Sequence, residues 1–75
     1  MSANQYDLSF LKWWNRHGWR LSLFMGKPEV WTHGDAKCPF KVTTGMIRRL
    51  ESDRLIERIF PAEISIWEER FKPRG

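Results

Sequence analysis

The stretch that decides the fold is Trp19-Arg20-Leu21-Ser22-Leu23-Phe24-Met25-Gly26-Lys27-Pro28-Glu29-Val30-Trp31-Thr32-His33. Trp19, Leu21, Leu23 and Met25 alternate with Arg20 and Ser22, the two-residue period of a strand that buries one face. Gly26-Lys27 offers a two-residue turn with glycine first, which suits the positive φ of a type II′ hairpin. Pro28 is tolerable at a strand start or edge, and Glu29 to His33 reads as the return strand. The expectation is a hairpin over 19–33. A lone hairpin is marginal in water, so the flanking sequence has to cover one of its faces.

Upstream, Phe10, Leu11, Trp13, Trp14 and His17 recur at helical spacing, with Lys12, Asn15 and Arg16 on the other side. Asp7 or Ser9 can cap this helix, and Gly18 can end it through the left-handed conformation. The expected helix is 8–16, after a frayed start at 1–6. Downstream, His33 to Phe40 is a loop broken by Gly34-Asp35 and Pro39. A second helix is expected over 44–53, capped by Thr43 or Thr44, with Met46, Ile47 and Leu50 as its apolar stripe. Gly45 in its first turn either admits a close neighbour or is incidental. Leu55 to Phe60 reads as a strand, Pro61 to Glu63 as a turn, Ile64 to Phe71 as the partner strand and Lys72 to Gly75 as a loose tail. The order is helix, hairpin, helix, hairpin. It implies an α+β fold in one small domain, with both helices on one face of an antiparallel sheet.

Length limits what this fold can do. A chain of 75 residues makes one small domain of marginal stability. It excludes a two-domain enzyme, a doubly wound nucleotide fold and a barrel with a deep pocket. Five tryptophans, Trp13, Trp14, Trp19, Trp31 and Trp67, stand out in so short a chain. A buried ring removes roughly 200 Å² from water, so large side chains can replace missing core size; one or two of them could instead be exposed anchors for a partner. The single cysteine, Cys38, cannot form an internal disulfide, which favours a reducing, cytoplasmic setting. The N-terminal residues do not resemble a signal peptide, no apolar run approaches a membrane span, and no membrane partner is expected.

The net charge of +4 has an address. Residues 1–35 hold four bases and three acids, and residues 51–75 hold five bases and six acids. Residues 36–50 hold Lys37, Lys41, Arg48 and Arg49 with no acid, so the whole excess lies there. Beside the amide-rich start of a helix, such a segment suits phosphate. The plainer reading is a solvated face with Arg49 paired to Asp53 and Arg48 near Glu51 across one helical turn.

Residues 42–58, Val-Thr-Thr-Gly-Met-Ile-Arg-Arg-Leu-Glu-Ser-Asp-Arg-Leu-Ile-Glu-Arg, resemble the recognition helix and first wing strand of winged helix-turn-helix DNA-binding domains. Thr43 matches the capping position, Leu50 the buried leucine and Leu55-Ile56 the start of the wing, with the hairpin at 56–71 as the wing itself. Arg54 stands where the family usually has glycine. The resemblance implies a reduced winged-helix-like fold in which Thr44, Arg48 and Arg49 face the major groove and Arg58 lies near a phosphate, with Lys37 and Lys41 as further phosphate contacts. The function it implies is a DNA-binding accessory protein, a transcriptional regulator or one like a small excisionase, acting on double-stranded DNA.

A competing reading comes from the aromatic load. Trp and Arg dominate interface hot spots, and a patch of Trp31, Phe60 and Trp67 would make the chain a protein-interaction module, for instance a phage-type inhibitor of a host complex. Single-stranded RNA ranks below duplex DNA, although rings interleaved with bases suit stacking. A homodimer fits either reading, because pairing adds core. No enzyme, cofactor or metal is expected. His33, Asp35 and Cys38 do not supply the four ligands of structural zinc. Cys38 has no evident cleft or base to make it a nucleophile. Glu68 and Glu69 are strand neighbours pointing to opposite faces, so they cannot act as a carboxylate pair.

Overall fold

The computed structural model describes residues 2–59 and 68–74. Its elements run α1 (Gln5–His17), β1 (Gly18–Phe24), β2 (Lys27–Thr32), α2 (Thr44–Ser52), β3 (Ile56–Ile59) and β4 (Glu68–Pro73). The four strands form one antiparallel sheet in the order β2-β1-β4-β3. This is a small α+β domain, as the element order implied. The expected turn at 61–63 and the residues of the last strand before Glu68 lie outside the described residues.

Both helices cover the face of the sheet that carries Leu21 and Leu23 of β1, Ile56 of β3 and Phe71 of β4. These four pack with Phe10 and Trp14 of α1 and Met46, Ile47 and Leu50 of α2 into a core that is almost wholly shielded from water. Ala3, Leu11, Trp13, Val30, Cys38, Phe40, Val42 and Leu55 seal its margins. Phe40 brings the loop between β2 and α2 down onto α1, with its ring 5.4, 5.9 and 6.2 Å from those of Tyr6, Phe10 and Trp13. Trp14 is buried with no acceptor for its indole N–H among the described residues, a local cost of about 1–3 kcal/mol that the ring's apolar burial has to exceed.

Several local expectations need correction. Helix α1 begins three residues before 8, because Asn4 is a better cap than Asp7 or Ser9. The Asn4 side chain accepts from the Asp7 amide at 2.8 Å while the Asp7 carboxylate accepts from the Asn4 amide at 3.1 Å, a reciprocal box. The start is therefore pinned rather than frayed, and the Ala3 amide also donates to Asp53 at 2.6 Å. The hairpin turn is Met25-Gly26, not Gly26-Lys27. Both residues have positive φ, 51° and 78°, as a type I′ turn requires. Strand β1 is bulged between Gly18 and Arg20, so the alternation fails at Trp19, which is exposed instead of joining Leu21 and Leu23. The tail is tied to the fold at Arg74, whose amide donates to the Leu55 carbonyl at 3.1 Å.

Gly18 does not end α1 by a left-handed turn, because its φ is −99°. It is required for space: a Cβ there would overlap Cδ1 and Nε1 of the buried Trp14 ring. Arg54, by contrast, sits at φ 60°, a region that favours glycine. Two substitutions follow with opposite signs. Gly18→Ala lowers stability by about 2 kcal/mol through overpacking, whereas Arg54→Gly raises it by about 0.5–1 kcal/mol. Urea unfolding of the two variants beside the parent checks both.

Candidate functional site

The segment 36–50 distributes its cations between two fates. Arg49 points inward. Its Nε and Nη2 donate to the two carboxylate oxygens of Asp7 at 2.6 and 3.0 Å, and Asp7 is completely buried. Gly45 makes room for this fork, since a Cβ there would lie 3.3 Å from Arg49 Nη1. The guanidinium holds the Asp7 carboxyl below the usual carboxylate range, outweighing the opposing effect of burial.

Arg48 joins a second arrangement. It donates to both oxygens of Glu69 on β4 at 3.0 and 3.2 Å and lies 3.5 Å from Glu51. Arg58 on β3 in turn donates to Glu51 at 3.2 and 3.3 Å and to Glu69. Two arginines and two glutamates thus close a ring of zero net charge between α2 and the sheet. The Glu69 carboxyl is held low by the Arg48 hydrogen bond, and the Arg58 guanidinium is raised by Glu51. The expected Arg49–Asp53 pair is absent: Asp7 takes Arg49, and Asp53 accepts from the Ala3 amide. Thr44 donates its hydroxyl to the Gly26 carbonyl at 2.9 Å, tying the start of α2 to the hairpin turn. Lys37 and Lys41 are exposed, and neither side chain has an acidic partner among the described residues.

A different cluster emerges at the junction of α1 and the hairpin. Ser9, Lys12, Trp13, Arg16 and His17 line a shallow groove on α1. Lys12 and Arg16 are exposed one turn apart, with no acidic partner among the described residues. Trp13 and His17 lie with ring centres 5.2 Å apart, and the His33 amide donates to the His17 carbonyl at 2.8 Å, closing the hairpin onto the end of α1. At the open end of the hairpin, Trp19 and Trp31 stand with ring centres 5.9 Å apart and exposures of 53% and 42%. The bulge is what brings Trp19 there, and its Nε1 donates to the Thr32 carbonyl at 3.2 Å. The Arg20 guanidinium lies 5.2 Å from the centre of the Trp31 ring while also pairing with Glu68. Glu68 is held low chiefly by Arg70 and further by Arg20.

Trp31 is therefore at the surface as the aromatic reading expects, with Trp19 as its neighbour, while Phe60 and Trp67 lie outside the described residues. The signal for this cluster was present in the sequence. Residues 8–28 hold Lys12, Arg16, Arg20 and Lys27, three tryptophans and no acid. Among the described residues no group of three or more His, Cys, Asp or Glu side chains could hold a metal ion, and no helix is long and apolar enough to cross a membrane. No protein-family model, curated protein or solved structure matches the chain.

The Asp7–Arg49 contact carries a prediction. Asp7→Ala removes both the capping box and the partner of Arg49, and costs about 2 kcal/mol. Because Asp7, Glu68 and Glu69 all have lowered folded-state values, their contribution is complete above the unfolded carboxylate range. It is lost as pH falls below about 4. Urea midpoints measured against pH should drop on the acid side, and drop less steeply in Asp7→Ala.

Proposed function

We propose that the protein is a small, non-enzymatic nucleic-acid-binding accessory protein of the cytoplasm, in keeping with its winged-helix-like segment. What supports this reading is the way its charge is divided. Five arginines, Arg20, Arg48, Arg49, Arg58 and Arg70, are held by the carboxylates of Asp7, Glu51, Glu68 and Glu69. Four of the nine acids are engaged in these arginine pairs. Lys12, Arg16, Lys37 and Lys41 remain exposed and without acidic partners among the described residues. Phe40, packed on Tyr6, Phe10 and Trp13, draws the loop bases towards the helix bases. Surface cations of this kind neutralise phosphates and release counterions. Under this reading Arg48, Arg49 and Arg58 organise the helix–sheet junction, and contact with phosphate falls first to the lysines and to Arg16.

A second reading, a protein-interaction module, is favoured by one observation: Trp19 and Trp31 are both exposed and adjacent. One titration separates the two. Anisotropy of labelled duplex and single-stranded oligonucleotides at about 50 mM salt should give a Kd tighter than about 10 μM for one of them, weakening at least tenfold at about 200 mM salt. Absence of binding to both ends the nucleic-acid reading and leaves the interaction module.

A further inference from the structure

We propose that the favoured ligand is a single strand, held by base stacking on Trp19 and Trp31 and by phosphate contact along Lys12 and Arg16. The proposal rests on the nucleic-acid reading above and names the form of nucleic acid and the surface that takes it.

Exposed rings are the first reason. Trp19 and Trp31 present indole surface to solvent at the end of the hairpin, outside the core that employs Trp14. Bases in a duplex are stacked on one another and offer no free face to such rings, whereas an unpaired strand does. The second reason is the fixed placement of the pair. The β-bulge aims Trp19 outward, and its indole N–H is anchored on the Thr32 carbonyl. The Trp31 ring is backed by Arg20, itself held by Glu68. Two rings held in this way lose little freedom when a base stacks on them.

Charge beside the rings is the third reason. The groove of Ser9, Lys12, Trp13, Arg16 and His17 ends two residues before Trp19, and the His17 carbonyl accepts from the His33 amide, next to the Thr32 carbonyl that anchors Trp19. Trp31, paired with Arg20, lies on the sheet face away from the helices, so the bound strand passes over the edge formed by β2. Lys12 and Arg16 are like charges at i and i+4, an arrangement that is unfavourable in the isolated helix and relieved by an anion between them. Among the described residues, the acids of the hairpin and the loop after it are Glu29 and Asp35, both exposed, and Glu68 on β4 is occupied by Arg20 and Arg70. The helix α2, where a duplex reading would place its contacts, offers arginines already bound to carboxylates.

The full chain is titrated into a fluorescein-labelled oligothymidylate of about 20 nucleotides and into a duplex of the same length, at several salt concentrations. The single strand should bind at least tenfold more tightly than the duplex. Trp19→Ala and Trp31→Ala should each weaken it by about tenfold, with circular dichroism unchanged. Lys12→Gln combined with Arg16→Gln should lower the salt slope by about 1.4, the value for two lost contacts on a single strand. That double change lies on an exposed helix face, so it reports even if a tryptophan variant unfolds. Duplex binding as tight as single-strand binding overturns the proposal while leaving the nucleic-acid reading intact. So does wild-type affinity and salt slope in all the variants. Failure of both oligonucleotides to bind overturns the two together.

Discussion

The buried carboxylate of Asp7 is the constraint around which this domain is arranged. A fully buried charge needs a counter-charge and filled hydrogen bonds. Asp7 has both, from Arg49 on α2 and from the Asn4 amide at the start of its own helix. The same residue thus begins α1, fixes α2 against it and removes a cation from the surface. Around it, the ring of Arg48, Glu51, Arg58 and Glu69 performs the equivalent task between α2 and the sheet. In so small a core, these polar clamps set the relative placement of elements that apolar packing alone leaves less specified.

One consequence is a separation of labour among cations. Arginine forks suit bidentate pairing with carboxylates, and Arg48, Arg49, Arg58 and Arg70 are used in that way, while Arg20 makes a single contact to Glu68. Lysines fall outside these networks, apart from Lys72 with Glu57. A basic stretch in sequence is therefore not the same thing as a basic surface. The four cations of 36–50 become two surface lysines and two structural arginines.

Much of the architecture was legible from period and punctuation. Alternation along Leu21 and Leu23 gave the strand, the stripe of Met46, Ile47 and Leu50 gave α2, and Thr43 is its cap. What escaped were features set by distant partners. Asp7 and Arg49 are 42 residues apart and Arg48 and Glu69 are 21 apart, so no local spacing rule can join them. The exposure of Trp19 depends on a bulge that strict alternation does not contain. The Arg48–Glu51 approach, by contrast, is an i,i+3 neighbour and was visible at once. The aromatic-basic cluster lay open to a count of acids: none occurs between Asp7 and Glu29.

The central claim is that Arg49 belongs to the fold through Asp7 rather than to a ligand surface. A double-mutant cycle with Asp7→Asn, Arg49→Gln and the two combined tests it directly by urea unfolding. The account predicts strong non-additivity: once one partner is gone, removing the other costs little more, and the double variant unfolds near the midpoint of the weaker single variant. Independent, additive losses, or an Arg49→Gln variant as stable as the parent, would contradict it.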